Sequence, residues 1–497
     1  MILPEPSDFY AEVLSGWTRP CDWRNPPPAP RYNLVVIGGG PAGLVCAAGA
    51  AGLGAKVALI EKYRLGGDCL HFGCVPSKSL IRAGAAANAV RKASTFGLDL
   101  PASRVDFAAM MERLRRTRAI MGEVDSASRF ARMGVDVFFG PAKFSGPDSV
   151  SVGDAQLRFS RAVIATGATA KNPDLPGFAE GSYFTNETIF NLTELPRRLV
   201  VLGAGPMGCE LSQAFARLGS EVHLVSRSSS ILPREEPEAS RVVHDRLTRD
   251  GVICHLGVRL KHGIDRGLVV EKDGLEMAIC GEAILVATGR RANVDGLNLL
   301  AAEVQCDSNG VIVDDYLRTT NRRIFAAGDV CSKHRFTHAA DAMARCVIKN
   351  ALFLGRSRWS SIIIPHSTYT DPELASVGMN ESEAAEKGIA IRTLRVDFRD
   401  VDRAVIDDDT DGFAQVHVRS GTDKIIGATI VGATAGELIA EVTLAMAERI
   451  GMRKLATVVR PYPTRSLVFS KLADAYQRTR LTPTSARILR WFLRQRR

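Results

Sequence analysis

Two cysteines, Cys69 and Cys74, carry the strongest chemical signal in this chain. They stand in the run Gly66-Gly67-Asp68-Cys69-Leu70-His71-Phe72-Gly73-Cys74-Val75-Pro76-Ser77-Lys78. Five positions apart on a regular helix, their Cα atoms would lie about 8.6 Å from each other. A disulfide needs about 4.4–6.8 Å. The pair can therefore bridge only where the segment leaves helix geometry, which Gly73 and Gly66-Gly67 permit. Pro76 fits the first turn of a following helix. A cysteine near that helix start would have a lowered thiol pKa, as a redox thiolate requires. No second Cys/His pair accompanies the two, so no metal site is expected. His71 reads as a group that could titrate near neutral pH, or as a solvent-facing or hydrogen-bonded spacer.

These cysteines need elements that bring an electron carrier to them. Asn33–Ile37 reads as a buried strand, followed by Gly38-Gly39-Gly40-Pro41-Ala42-Gly43, an Ala-rich helix and a second strand, Lys56–Glu61. About 165 residues on, the pattern recurs. Leu199–Leu202 is a strand, Gly203-Ala204-Gly205-Pro206-Met207-Gly208 a turn, Glu210–Leu218 a helix and Glu221–Val225 a strand. Such glycines let the backbone approach a pyrophosphate at a helix N-terminus, so two dinucleotide sites are expected. Eighteen residues after Gly43 stands Glu61, able to accept from both ribose hydroxyls of an adenosine. The matching position after Gly208 holds Ser226, followed by Arg227. No acid there repels a 2′-phosphate and a guanidinium can bind one, which favours NADPH over NADH at the second site.

Two further strands, Ala162–Gly167 and Ala283–Gly289, both end in Ala-Thr-Gly. After Pro365 the texture becomes α+β, with strands at Ile391–Phe398, Phe413–Arg419 and Lys424–Val431 and a helix at Gly436–Ile450. At the other end, a short amphipathic lead precedes a stiff linker, Asn25-Pro26-Pro27-Pro28-Ala29-Pro30.

The composition, 46% hydrophobic and 24% charged, excludes wholesale disorder. The net charge of +10 is mainly a property of the tail. Residues 478–497 hold seven arginines and no acid, and the rest has 57 basic against 54 acidic residues. On a helix through Arg487–Arg497, Ile488, Leu489, Trp491, Phe492 and Leu493 share one arc. Arg487, Arg490, Arg494 and Arg497 fall on the other, with Arg496 the exception. Such a helix suits an anionic membrane surface or a protein face. The arginines lack any nucleic-acid module, so no nucleic acid is expected. Tyr32–Ala55 is uncharged, but seven glycines and Pro41 break it, so it is not read as a membrane span. Cys21, Cys46, Cys209, Cys254, Cys280, Cys306, Cys331 and Cys346 read as small buried hydrophobes. With no secretory signal, a cytoplasmic location is expected, peripheral at a membrane if the tail docks there.

From Tyr32 to Tyr476 the chain resembles the class I FAD-dependent pyridine nucleotide-disulfide oxidoreductases, the group of glutathione reductase, dihydrolipoamide dehydrogenase and mercuric reductase. The resemblance rests on the cysteine segment, on Ile324-Phe325-Ala326-Ala327-Gly328-Asp329-Val330 and on Tyr369-Thr370-Asp371-Pro372-Glu373-Leu374-Ala375-Ser376-Val377-Gly378. It implies an α/β fold with two Rossmann-like domains, for FAD and NAD(P), and a C-terminal α+β dimerisation domain. The implied segments are an extension at 1–30, an FAD domain at 31–190 and 285–364, an NAD(P) domain at 191–284, an interface domain at 365–476 and the tail at 477–497. It also implies a homodimer. Cys74 would be the flavin-proximal sulfur and Cys69 the interchange thiol. Lys78 would pair with Glu210 beside the flavin, and Asp329 would hold the ribityl chain. FAD would lie on Gly38, Gly40, Gly43, Glu61, Gly67, Ala142, Gly167, Gly328 and Thr337, and the nicotinamide cofactor on Gly203, Gly205, Gly208, Ser226, Arg227 and Gly289.

One departure narrows the function. Disulfide-reducing members carry His-Pro-Thr-x-x-Glu near the C-terminus, where the His protonates a leaving thiol. Here Tyr462 takes the His position and Leu467 the Glu position, and no histidine follows His417. Tyr462 is read as either catalytic or an interface packing residue. The pattern resembles mercuric reductase, since a soft metal needs thiolates more than a general acid. Against that, no cysteine follows Cys346 in this sequence, where mercuric reductases end in a cysteine pair, and their N-terminal metal-binding module is not expected here. The expected function is NADPH oxidation through FAD and a Cys69–Cys74 disulfide to a small-molecule or metal-ion acceptor. The alternatives are an NAD(P)H oxidase or quinone-type reductase, and a flavoprotein sensor or membrane-docked interaction protein.

Overall fold

The computed structural model describes residues 5–101, 104–173, 175–178, 181–353 and 355–496. By its contacts the chain divides into two compact units, residues 1–229 with 251–362, and 230–250 with 363–497.

The first unit begins with helix α1 (Phe9–Thr18), capped by the Asp8 carboxylate on the Ala11 N–H. The proline segment after it is docked rather than a free spacer. Asn25 exchanges two hydrogen bonds with the Phe139 backbone, at 2.8 and 3.0 Å, and Trp23 Nε1 donates to Val137 O. Strand β1 (Tyr32–Ile37) leads into helix α2 (Pro41–Gly52) and strand β2 (Val57–Glu61). Helices α3 (Gly67–His71), α4 (Cys74–Arg91) and α5 (Phe107–Gly122) follow. Then come strands β3 (Val135–Phe139), β4 (Ala142–Gly146), β5 (Ser149–Val152) and β6 (Ala155–Ile164). The sheet order is β3-β2-β1-β6-β5-β4, and strand Ile324–Ala326 also pairs with β6. Strands β1, β2, β3, β6 and Ile324–Ala326 run parallel, and β4-β5-β6 is an antiparallel meander. Strands β1 and β2 are buried nearly throughout, as a parallel sheet covered on both faces requires.

The repeat is a second parallel sheet, in the order Val252–Leu256, Glu221–Ser226, Arg198–Leu202, Ala283–Val286. Its helix is Pro206–Leu218, starting four residues before the expected Glu210 because Pro206 occupies the first helical position behind Gly205.

The second unit is built on a five-stranded antiparallel sheet, His366–Thr368, Glu373–Gly378, Ile425–Gly432, Phe413–Arg419, Ile391–Asp397. Helices Ala435–Ala447 and Leu467–Thr479 share its apolar core. Helix Pro237–Arg249, within the expected NAD(P) segment, clusters with this unit through Arg246 to Asp411 at 3.1 Å. The adjacent Glu236 meets the buried His417 at 3.2 Å.

The tail forms helix Pro483–Arg494, which buries none of its residues. It starts before the expected Arg487, because Thr482 accepts the Ser485 N–H and Pro483 opens the first turn. Arg496 breaks the charge segregation by lying 4.3 Å over the Phe492 ring. Arg497 lies outside the described residues. Among the described residues, no helix is long and apolar enough to cross a membrane.

The reading of the eight lone cysteines needs correction. Cys46, Cys209 and Cys346 are buried, but Cys21, Cys280 and Cys306 are exposed and Cys254 and Cys331 are half-buried. Cys280 and Cys306 fall on short antiparallel strands with open faces, where residue type alone does not enforce burial.

Candidate redox and dinucleotide site

The cysteine segment breaks as its spacing demands. Helix α3 ends at His71, Phe72 takes φ −135°, Gly73 takes φ −121° and ψ −111°, and α4 begins at Cys74. That break folds α3 back, and the Cys69 and Cys74 side chains meet in a hydrogen bond. Both are free thiols, Cys69 half-buried and Cys74 exposed. Cys74 Sγ also lies 3.3 Å from Thr337 Oγ1.

The two thiols are electrostatically unequal. The hydrogen bond from Cys69 is the main cause that pulls Cys74 down to about 6, and Thr337 and the Lys78 ammonium add to it. The same bond, with burial, pushes Cys69 up. Cys74 is therefore the thiol disposed to give up its proton, and Cys69 the one disposed to keep it. Four residues along α4 from Cys74, Lys78 Nζ donates to the buried Glu210 Oε2 at 2.9 Å.

Of the readings of His71, the hydrogen-bonded spacer holds; it is neither solvent-facing nor poised near neutrality. It is buried, and burial pulls its pKa down to about 4. Its Nε2 lies 2.8 Å from Leu65 O. A carbonyl only accepts, so this nitrogen carries the proton of a neutral ring.

Both glycine turns have the shape a phosphate needs. Gly38 and Gly203 take φ +110° and +115°. A Cβ on Gly43 would sit 1.8 Å from Gly38 O, and one on Gly208 would sit 1.8 Å from Gly203 O. Helix α2 and helix Pro206–Leu218 both start on a glycine with no capping side chain, leaving their first N–H groups to an anion. The first turn abuts the redox segment, since a Cβ on Gly67 would meet Gly40 Cα at 2.5 Å. Glu61, at the end of β2, accepts from the Gly39 and Tyr63 N–H groups, both at 2.6 Å, and burial raises its pKa. Ser226 accepts from the Ser228 N–H at 3.1 Å, and Arg227 is exposed.

Around the cysteines, Asp68 accepts from Asn186 at 2.9 Å and pairs with Arg290 at 3.2 Å. Arg290 Nε is buried without a hydrogen bond and lies 3.8 Å from Asp329 Oδ2. Gly328 beside it takes φ +82°. Gly167 and Gly289 take φ +69° and +141°, and a Cβ on either would meet nothing within 4 Å. Ala142 opens β4. Asp68, Asn186 and Arg290 are site residues that sequence reasoning misses. Arg290 follows the second Ala-Thr-Gly run directly and could have been found there.

Residues 32–345 match the pyridine nucleotide-disulphide oxidoreductase family, and residues 364–473 match its dimerisation domain. The chain belongs to this family. Mercuric reductase from Bacillus cereus is 34% identical over 438 residues, which span 87% of this chain and 69% of that protein. Dihydrolipoyl dehydrogenase from Chlamydia muridarum is 31% identical over 454 residues, 89% of this chain and 96% of that one. Among solved structures, the HOCl-induced flavoprotein disulfide reductase RclA from Escherichia coli superposes with a TM-score of 0.79 at 27% identity. That match covers 89% of this chain and 99% of RclA. The Cu(II) complex of the same protein gives a TM-score of 0.79 at 26% identity, over 90% of this chain and 99% of that one.

The protein is thus an FAD-dependent pyridine nucleotide-disulfide oxidoreductase, an enzyme whose family implies FAD and a pyridine nucleotide. The residues fit both groups: two uncapped helix starts behind close-packed glycines, and the half-buried Arg290, whose buried Nε makes no hydrogen bond. The dimerisation domain supports a homodimer. Tyr462 belongs to the second unit, where it is 70% exposed and donates to Asp402 at 3.0 Å. That bond raises its pKa, which favours the phenol as a neutral donor.

Proposed function

We propose that this oxidoreductase uses NADPH to reduce a soft, thiol-seeking metal ion such as Hg(II) at Cys69 and Cys74. The single observation that carries the reading is Tyr462, bonded to Asp402, at the sequence position where disulfide-reducing relatives carry an acid histidine; the unequal thiol pair supplies the soft ligands. The likeness to mercuric reductase and to a reductase that forms a Cu(II) complex supports it.

In this reading Gly38, Gly40, Gly43, Glu61, Gly67, Ala142, Gly167, Gly328, Asp329 and Thr337 hold FAD. Gly203, Gly205, Gly208, Ser226, Arg227 and Gly289 hold NADPH. When bound, the two cofactors deliver an electron pair to the cysteines. Two electrons and one proton cleave the Cys69–Cys74 bond, leaving Cys69 as the thiol and Cys74 as the thiolate. Lys78, held by Glu210, keeps a positive charge near that thiolate. A soft dication then displaces the Cys69 proton and binds both sulfurs. A second electron pair reduces it to the metal, which leaves with both sulfurs still thiolates.

Anaerobic NADPH is expected to raise a long-wavelength absorbance band whose intensity grows with pH through about 6, because the thiolate forms above that value. Cys74→Ser abolishes the band. Hg(II)-dependent NADPH oxidation is lost in Cys69→Ser. Turnover with quinones or oxygen but not with Hg(II) would overturn the metal assignment.

We further propose that helix Pro483–Arg494 docks on an anionic lipid surface. Trp491, Ile488 and Leu493 are about 60% exposed on one arc, and the seven arginines of 478–497 face no acid within the segment. The full-length enzyme is expected to co-sediment with phosphatidylserine vesicles and not with phosphatidylcholine alone, and to lose binding in Trp491→Ser. Binding unaffected by that change would sink the proposal.

A further inference from the structure

The N-terminal segment lies outside the family match, which begins at residue 32. It is nonetheless built into the redox centre. Its contacts converge on His71, the last residue of α3 and the polar residue between the two cysteines.

Three ties run to this point. Glu5 pairs with Arg118 at 3.0 Å, and Arg118 donates to the His71 carbonyl at 3.0 Å. Glu5 also pairs with Arg64 at 2.8 Å. The Thr18 carbonyl accepts the Leu65 N–H at 3.1 Å, and the Leu65 carbonyl accepts the His71 ring. Leu14, Leu70, Val75 and Ala119 close an apolar cluster, with Tyr10 and Val13 at its edge. Gly122 makes room for it, because a Cβ there would lie 2.5 Å from Leu14 Cδ1.

Two ties end on His71, one at its carbonyl and one at its ring, and the apolar cluster reaches the residue after each cysteine. Leu70 follows Cys69 and Val75 follows Cys74, so Leu14 helps to clamp both sides of the helix break. Arg118 is almost fully buried, and burial works against its charge. Glu5 offsets that cost, so the arginine can spend a donor on the His71 carbonyl at the end of α3. A short helix of five residues has little intrinsic stability. Its orientation must come from such tertiary contacts.

We propose that residues 5–19 are a positioning element of the redox centre, fixing α3 through His71 and Leu70 so that the Cys69 thiol stays aimed at Cys74. The inference rests on the redox role proposed above. Loosening the element weakens the Cys69–Cys74 hydrogen bond, which is the main cause of the low Cys74 pKa.

The test uses FAD-loaded full-length enzyme carrying Glu5→Gln or Leu14→Ala. The readouts are the pH midpoint of the long-wavelength band, Hg(II) turnover and the rate of flavin reduction by NADPH. The midpoint should rise by about one pH unit in Leu14→Ala and by less in Glu5→Gln. Hg(II) turnover should fall about tenfold while flavin reduction is unchanged. Glu5→Asp, which keeps the charge, should recover part of the shift. A lowered melting temperature with an unmoved midpoint in both variants would overturn the inference and leave the redox reading intact. A wild-type enzyme with no band would overturn both.

Discussion

The two dinucleotide turns are near copies in backbone and opposites in what stands at the end of the next strand. Gly38 and Gly203 differ by only a few degrees in φ, at +110° and +115°. A Cβ on them would meet Ala165 O at 2.3 Å and Ala287 O at 2.5 Å. At the end of β2, Glu61 is buried and spends both oxygens on backbone N–H groups. At the matching place Ser226 is buried with a local bond, and the charge is the exposed Arg227. The contact of helix start with strand end is a steric problem with one solution, so it repeats. What stands at the end of the next strand is a matter of one or two side chains, so it diverges.

The largest predicted effects test the shared part. In Gly43→Ala and Gly208→Ala the new methyl lies 1.8 Å from a backbone oxygen, and only movement of the turn can relieve it. Gly43→Ala should purify without flavin. Gly208→Ala should keep its flavin but lose NADPH-driven reduction by about a hundredfold or more in kcat/KM. Equal loss of flavin in both would break the assignment of one turn to each cofactor.

Glu61→Ala tests the divergent part of the first turn. It strips acceptors from the N–H groups of Gly39 and Tyr63, at a cost of about 1–3 kcal/mol for each that stays dry. Flavin affinity, measured by equilibrium release, should fall by about thirtyfold. Because burial raises the Glu61 pKa, its charged form is disfavoured in the fold. Its contribution to stability is complete below the ordinary carboxyl pKa and declines as pH rises through the higher folded value. The Ala variant should therefore show a flatter pH dependence of stability on the alkaline side of that range.

Arg227→Ala tests the other side. If the guanidinium binds a 2′-phosphate, KM for NADPH should rise about tenfold and KM for NADH should stay level. A parallel rise in both would show that Arg227 serves the dinucleotide generally and would remove the basis for preferring NADPH.

What could be read in the sequence follows the range of the interactions. Gly38, Gly43, Gly203 and Gly208 are legible because sterics at a strand–turn–helix junction act within six residues. The helix break between Cys69 and Cys74 is legible from spacing and Gly73 alone. Lys78 with Glu210 is reached only through the family resemblance, since 132 residues separate them. The Glu5, Arg118 and His71 network leaves no local trace. Glu5 and Arg118 are 113 residues apart, and a proline-rich run behind α1 reads as a spacer until Asn25 and Trp23 are seen on β3. Buried His71 escapes a sequence reading for another reason: its ring packs beside Tyr63 and Phe72 and meets the Leu65 carbonyl only once the turn between β2 and α3 has folded.

The smallest effect is the most diagnostic. Gly205 caps helix Pro206–Leu218 in ordinary extended backbone, with φ −78°, and a Cβ there would have no protein atom within 4 Å. Gly205→Ala therefore has no steric reason to alter folding or flavin content. Its melting temperature should match wild type. Any loss must come from a ligand that approaches the backbone where the methyl now projects. A rise of about fivefold in KM for NADPH, with kcat unchanged, is expected if the pyrophosphate lies against this helix start, because such a change weakens ground-state and transition-state binding alike. An unchanged KM would move the phosphates away from Gly205. The two turns would then share a backbone shape without sharing its use.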